Sequence, residues 1–156
     1  MSLEALAAIA QIVAALAVVI TLFYLALQIK QANVQAEVES HRHIWDLLNQ
    51  WCDLISSSTE TAKVVTKGRK SIGELDEAEY LMFEHIHIRL LNTLESWFLQ
   101  FDKTAKDKAF KTQQMENLKG IAQGYFSYPG TRELWNGFRD HFPAIAHVVD
   151  SALGDT

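Results

Sequence analysis

ALAAIAQIVAALAVVITLFYLAL, residues 5–27, is a run of 23 residues without a charge, a glycine or a proline, interrupted only by Gln11 and Thr21. At about 1.5 Å of rise per residue a helix of this length covers roughly 35 Å, against a bilayer hydrocarbon core of about 30 Å. A cleavable signal peptide would carry a basic leader and a shorter apolar stretch. Met1–Glu4 holds no basic residue, and the run is too long. The core helix of a soluble protein is rarely apolar on all sides for six turns. The stretch therefore reads as a transmembrane anchor over residues 1–30, with the lipid bilayer as its first partner.

The flanks bear on orientation. Glu4 precedes the run, whereas Lys30 and, further on, Arg42 follow it. Basic residues close to a membrane end favour the cytoplasmic side. The expectation is an N-terminus outside and residues 31–156 in the cytoplasm. One cysteine, Cys52, excludes an internal disulfide framework. Within the run, Ala7, Ala10, Ala14, Ala17 and Thr21 recur at alternating steps of three and four. Small side chains on one stripe let helix backbones approach closely in lipid, where packing replaces the hydrophobic drive. These five residues are the candidate face for self-association or for another membrane protein.

Composition narrows the remainder. The chain has 156 residues and a formal net charge of −5, with no arginine-rich arm and no basic stripe interleaved with aromatics. Nucleic acid is not an expected partner. Two lysine-containing clusters, one around Lys63–Lys70 and one around Lys103–Lys119, are diluted by Glu60, Asp107 and Glu116 and read as solvated surface.

No glycine or proline occurs before Gly68, so the first helix has no stop signal at the membrane surface. Val34, Val38, His41, Trp45, Leu48, Cys52 and Ile55 keep a helical rhythm, widened by Ile44, Leu47 and Trp51. The pattern predicts one helix from Leu3 to Ser56, in which 31–56 continues the anchor and the polar segment from Gln28 to about Glu39 acts as a stalk or an oligomeric contact. A loop is expected over 66–75, with Gly68 as a helix terminus. Asp76 and Glu79 have the spacing of a capping box and open a second long helix to Lys103. Its apolar face is Tyr80, Phe83, His87, Leu90, Leu91, Leu94, Trp97, Phe98 and Phe101. Three further helices are expected: Asp107–Tyr125, Thr131–Phe142 with Thr131 as cap, and Ala144–Leu153 behind Pro143. The end, Gly154–Thr156, is expected to fray. No alternating strand pattern of useful length is present. The expected fold is all-α, a long transmembrane-plus-stalk helix followed by a small bundle of about four further helices.

The segments Val18–Gln31 (VVITLFYLALQIKQ), Glu95–Phe101 (ESWFLQF), Pro129–Arg132 with Trp135, Phe142 and Val148–Asp150 together resemble a largely uncharacterised family of small bacterial proteins. Its members combine an N-terminal membrane anchor with a helical cytoplasmic part. The resemblance implies architecture only, and no activity; the expected location is a bacterial inner membrane. Two positions depart from the family pattern: Leu134 stands where a second tryptophan is usual, and Asp102–Lys108 replaces a glycine-containing turn.

Chemical motifs are sparse. Hydrolase and phosphate-cradling signatures are missing, no catalytic residue stands out, and no cofactor is expected. Glu84 and His87 have the Glu-x-x-His spacing of helical di-iron sites, but the second copy such a site needs does not occur. Glu84, His87 and His41 are the candidate metal ligands of an alternative reading, a tethered helical domain binding a metal or cofactor. His41 and His87 also fall on apolar stripes that could share a core layer, with Glu95 as a nearby carboxylate. Cys52 is expected on the inner face of the long helix. A water-filled path between several spans is a third, lower-ranked possibility. The principal expectation is a non-enzymatic single-pass membrane protein, an oligomeric scaffold or accessory subunit of a membrane complex.

Overall fold

The computed structural model describes residues 2–104 and 107–154, apart from the side chains of Glu37, Ser40, His41 and Thr104. It is all-α among those residues: α1 (Leu3–Ser56), α2 (Thr59–Lys70), α3 (Glu77–Thr104), α4 (Lys108–Phe126), α5 (Pro129–Phe138) and α6 (Ala146–Leu153), with 3-10 turns at Ile72–Glu74 and Arg139–His141. The chain divides into two compact units, Met1–His43 and Ile44–Thr156.

The first unit is the N-terminal part of α1. Leu3–Ala36 is long and apolar enough to cross a membrane, and none of its most apolar window is buried. From Leu6 to Leu27 the large apolar side chains are 44–68% exposed. This surface has no core to enter within its own unit.

The second unit is a helical bundle around one main core. The last turns of α1 contribute Ile44, Leu48 and Trp51 to it. The buried stripe is thus narrower than the expected face and keeps Ile44, Leu48 and Trp51 of it. Trp45 is half exposed and Cys52 lies on the surface, not on the inner face. Leu90, Leu91, Leu94, Trp97 and Phe101 of α3 form the centre, covered by Leu118, Ala122 and Phe126 of α4 and by Ile145, Val148 and Val149. Each indole N–H of the buried tryptophans finds an acceptor, as burial demands. Trp51 donates to the Ile86 carbonyl at 2.7 Å, Trp97 to Gln114 Oε1 at 3.1 Å, and Trp135 to Asp150 Oδ1 at 3.0 Å.

The helix ends follow local chemistry. Ser58 caps α2 by accepting from the Thr61 N–H, and the capping box of α3 is complete: Glu79 N–H donates to Asp76 Oδ1 and Asp76 N–H to Glu79 Oε2. Asp107 caps α4 through the Ala109 N–H. α5 begins earlier than expected, because Pro129 fills its first turn and Tyr128 stands at the cap position, while Thr131 sits inside the helix and donates to the Tyr128 carbonyl. α6 starts two residues late, after a turn at Pro143–Ile145, and Gly154 closes it with a φ of 75°. Asp155 and Thr156, where fraying was expected, lie outside the described residues.

The expected 66–75 loop is shortened to residues 71–76, which hold the 3-10 turn. α2 continues to Lys70, and Gly68 is a buried position within it. The physical reason is packing. A Cβ on Gly68 would lie 2.5–2.8 Å from the buried Phe83 ring, and one on Gly130 would fall 1.8 Å from the Gly68 carbonyl oxygen. α2 and α5 cross glycine on glycine. In contrast, a Cβ at Gly120 or Gly124 meets nothing within 4 Å. Gly130→Ala is therefore expected to destabilise the bundle by about 3 kcal/mol, since backbone must move. Gly124→Ala is expected to stabilise it by roughly 0.5–1 kcal/mol through helix propensity alone. Thermal melts of the two variants against the parent chain check both signs.

Candidate functional site

The alanine stripe lies wholly in the first unit. At about 100° per residue, Ala7, Ala10, Ala14, Ala17 and Thr21 fall within an arc of roughly 80° on α1. All five are exposed. Thr21 donates its hydroxyl to the Ala17 carbonyl at 2.8 Å, which satisfies its polar group inside an apolar helix.

The candidate metal ligands are not brought together. Among the described residues no three His, Cys, Asp or Glu side chains form a group able to hold a metal ion. The His41 side chain lies outside those residues. Glu84 is engaged on its own helix, hydrogen-bonded to Tyr80 and 3.9 Å from His85 Nδ1. His87 is fully buried, and its Nδ1 lies 2.7 Å from the Phe83 carbonyl. A carbonyl only accepts, so Nδ1 carries the proton and Nε2 is a bare lone pair. That Nε2 has no hydrogen-bond partner. The rings around it are Phe83 at 4.2 Å and Trp51 and Phe126 at 6.4 Å each, centroid to centroid. The charged group that acts on His87 is Arg69, not Glu95.

A second feature was invisible in the linear sequence. One face of α4 forms the floor of an open groove of about 750 Å³ in the second unit. At one end Trp45 and Trp97 meet with ring centroids 6.2 Å apart, beside Glu116 and Asn117. At the other, the Arg69 guanidinium lies 4.9 Å from the Tyr128 ring centre and 5.7 Å from that of Tyr125. The floor between them includes Gly120, Ile121 and Gly124. Arg69 Nε is buried without a hydrogen-bond partner, and no carboxylate among the described residues forms an ion pair with Arg69. No family model, curated protein or solved structure matches this chain. The groove therefore has to be read from its own chemistry. Sequence reasoning placed Arg69 in a solvated basic cluster. The signal that separates it from Lys63, Lys67 and Lys70 is three-dimensional: only Arg69 stacks on tyrosines.

Burial pushes the His87 pKa down to about 4; the Phe83 hydrogen bond opposes that shift and the positive charge of Arg69 adds to it. The group is neutral in the fold and takes up a proton near the ordinary histidine value once unfolded. Its contribution is thus complete above about pH 6.5 and is lost as pH falls towards 4, a change of about 3 kcal/mol over the window. His87→Leu is expected to remove most of this acid dependence, leaving the variant relatively more stable than the parent at pH 4.5. Denaturant unfolding of both proteins at pH 7.5 and pH 4.5 measures the difference.

Proposed function

We propose that this chain is a non-enzymatic single-pass membrane protein that works by association, with α1 as anchor and the second unit as its cytoplasmic module. The observation that carries the reading is the exposure of the Leu3–Ala36 helix, whose most apolar window is wholly unburied. Twelve Leu, Ile, Val and Phe side chains between Leu6 and Leu27 would each gain roughly 0.3–0.6 kcal/mol in a bilayer centre, about 5 kcal/mol in all. No charged residue between Ala5 and Ile29 opposes that gain. In water the same surface would be an aggregation site far larger than the apolar patches monomers tolerate. Lys30 and Arg42, on the C-terminal side, support the cytoplasmic placement of the module, and the membrane in this reading is a bacterial inner membrane.

The association face in this reading is the stripe Ala7, Ala10, Ala14, Ala17 and Thr21, packing against a second copy or against a partner span. Its function would be that of an oligomeric scaffold or an accessory subunit that holds a helical module at the membrane.

Two measurements test the proposal. After expression in bacteria the chain should stay with the membrane pellet through alkaline carbonate and be released by detergent; release by carbonate alone would remove the anchor. Native mass in maltoside should show an oligomer that Ala14→Leu shifts towards monomer, because a larger side chain keeps the backbones apart. A monomeric parent with no co-purifying membrane protein would sink the association.

A further inference from the structure

We propose that the α4 groove binds a small organic carboxylate with a flat apolar body, its carboxylate on Arg69 and its body over the floor at Gly120 and Gly124. Three independent features of the groove converge on this ligand. The first is electrostatic. The Arg69 guanidinium lines the groove, and no carboxylate among the described residues forms an ion pair with it. The end of an Arg side chain, with one N–H from each terminal nitrogen, is a two-pronged donor that matches a carboxylate. Its stacking on Tyr125 and Tyr128 fixes the guanidinium plane without using those donors.

The second feature is the floor. Glycine inside a helix costs about 1 kcal/mol relative to alanine. At Gly68 the crossing with α5 explains it; at Gly120 and Gly124 nothing in the fold does, since a Cβ there meets open space. What these glycines leave is a level strip of helix backbone, one turn apart, on which a flat group can lie. The third is the wall. Trp45 is 54% exposed although Trp97, against which it packs, is buried. An exposed indole beside an open strip offers a large stacking surface at little conformational cost.

The polarity of the groove limits the ligand further. At the tryptophan end the groove lining holds the carboxylate of Glu116 and no cation to receive a second negative charge. From Glu116 to Tyr125 along α4 is roughly 13 Å. The ligand is thus a mono-anion, its carboxylate at the tyrosine end and an uncharged or donor-bearing end towards Glu116. A volume of about 750 Å³ suits a small molecule of that length.

The test uses the full chain in maltoside micelles with 4-phenylbutyrate as probe, read by tryptophan emission and by saturation-transfer NMR. Saturable binding with a dissociation constant of about 1 mM or tighter is expected for the parent. Arg69→Gln should weaken it at least tenfold, and Arg69→Lys, which keeps the charge but not the fork, should fall between. Gly124→Leu should also weaken it at least tenfold. Its side chain enters free space, so helical content and melting temperature should be retained, which separates occlusion of the groove from misfolding. Uptake that never saturates, that is equal in the parent and in Gly124→Leu, or that is matched by inorganic phosphate alone would overturn the assignment. So would a co-purifying protein that Gly124→Leu releases, which would make the groove a protein-docking surface.

Discussion

The bundle depends on a single close approach, the carbonyl of Gly68 in α2 set against the backbone of Gly130 in α5. No side-chain carbon fits between them. With that crossing in place, Phe83 of α3 covers Gly68 and joins Val64 and Leu134 in a small satellite core. The residues adjoining the two glycines inherit their positions from it. Arg69 follows Gly68, and Tyr128 lies two residues before Gly130, so the guanidinium and one of the rings it stacks on are brought together by the same contact. A packing rule in the interior thus builds one end of a surface groove.

Polar groups in the interior are handled in two ways. The three buried indoles are each satisfied, and the strongest arrangement is at Asp150. Burial pushes the Asp150 carboxyl up, but hydrogen bonds from Arg139 and Trp135, with the Arg139 charge, outweigh it and hold the group below the usual carboxylate range. Arg139 reaches Asp150 Oδ2 from Nη2 at 2.7 Å and from Nε at 2.9 Å, whereas Arg69 has no carboxylate partner among the described residues. His87 is the other case. Its Nε2 is unsatisfied, and the protein accommodates it by keeping the ring neutral.

Much of the architecture was legible in the chain. Periodicity gave α1 its ends at Leu3 and Ser56, and the Asp76–Glu79 spacing gave the start of α3, because caps and helical rhythm are local properties. What was not legible depended on distant partners. The apolar face expected on α1 is broader than the one buried, since Trp45 and Ile44 are equally apolar and only the docked helices decide which one is covered. Gly68 carries the signature of a helix end, and nothing local reveals that Phe83 and Gly130 need its missing side chain. The groove draws on residues from α1 to the α4–α5 connection, most of them ordinary core or surface types when read singly. The Glu84–His87 spacing was visible but misleading, because a metal site needs donors from other helices and none converge there among the described residues.

α6 is eight residues long, below the roughly 12 that an isolated helix needs to persist in water. It exists because it is docked: Arg132 donates to the Leu153 carbonyl, Trp135 and Arg139 grip Asp150, and Val148 and Val149 seal the core over α4. Until Leu153 is made and α6 docks, then, Trp135 lacks the acceptor for its indole N–H. For a polypeptide whose opening segment is already greasy, that interval is when a nascent-chain chaperone would have most to shield.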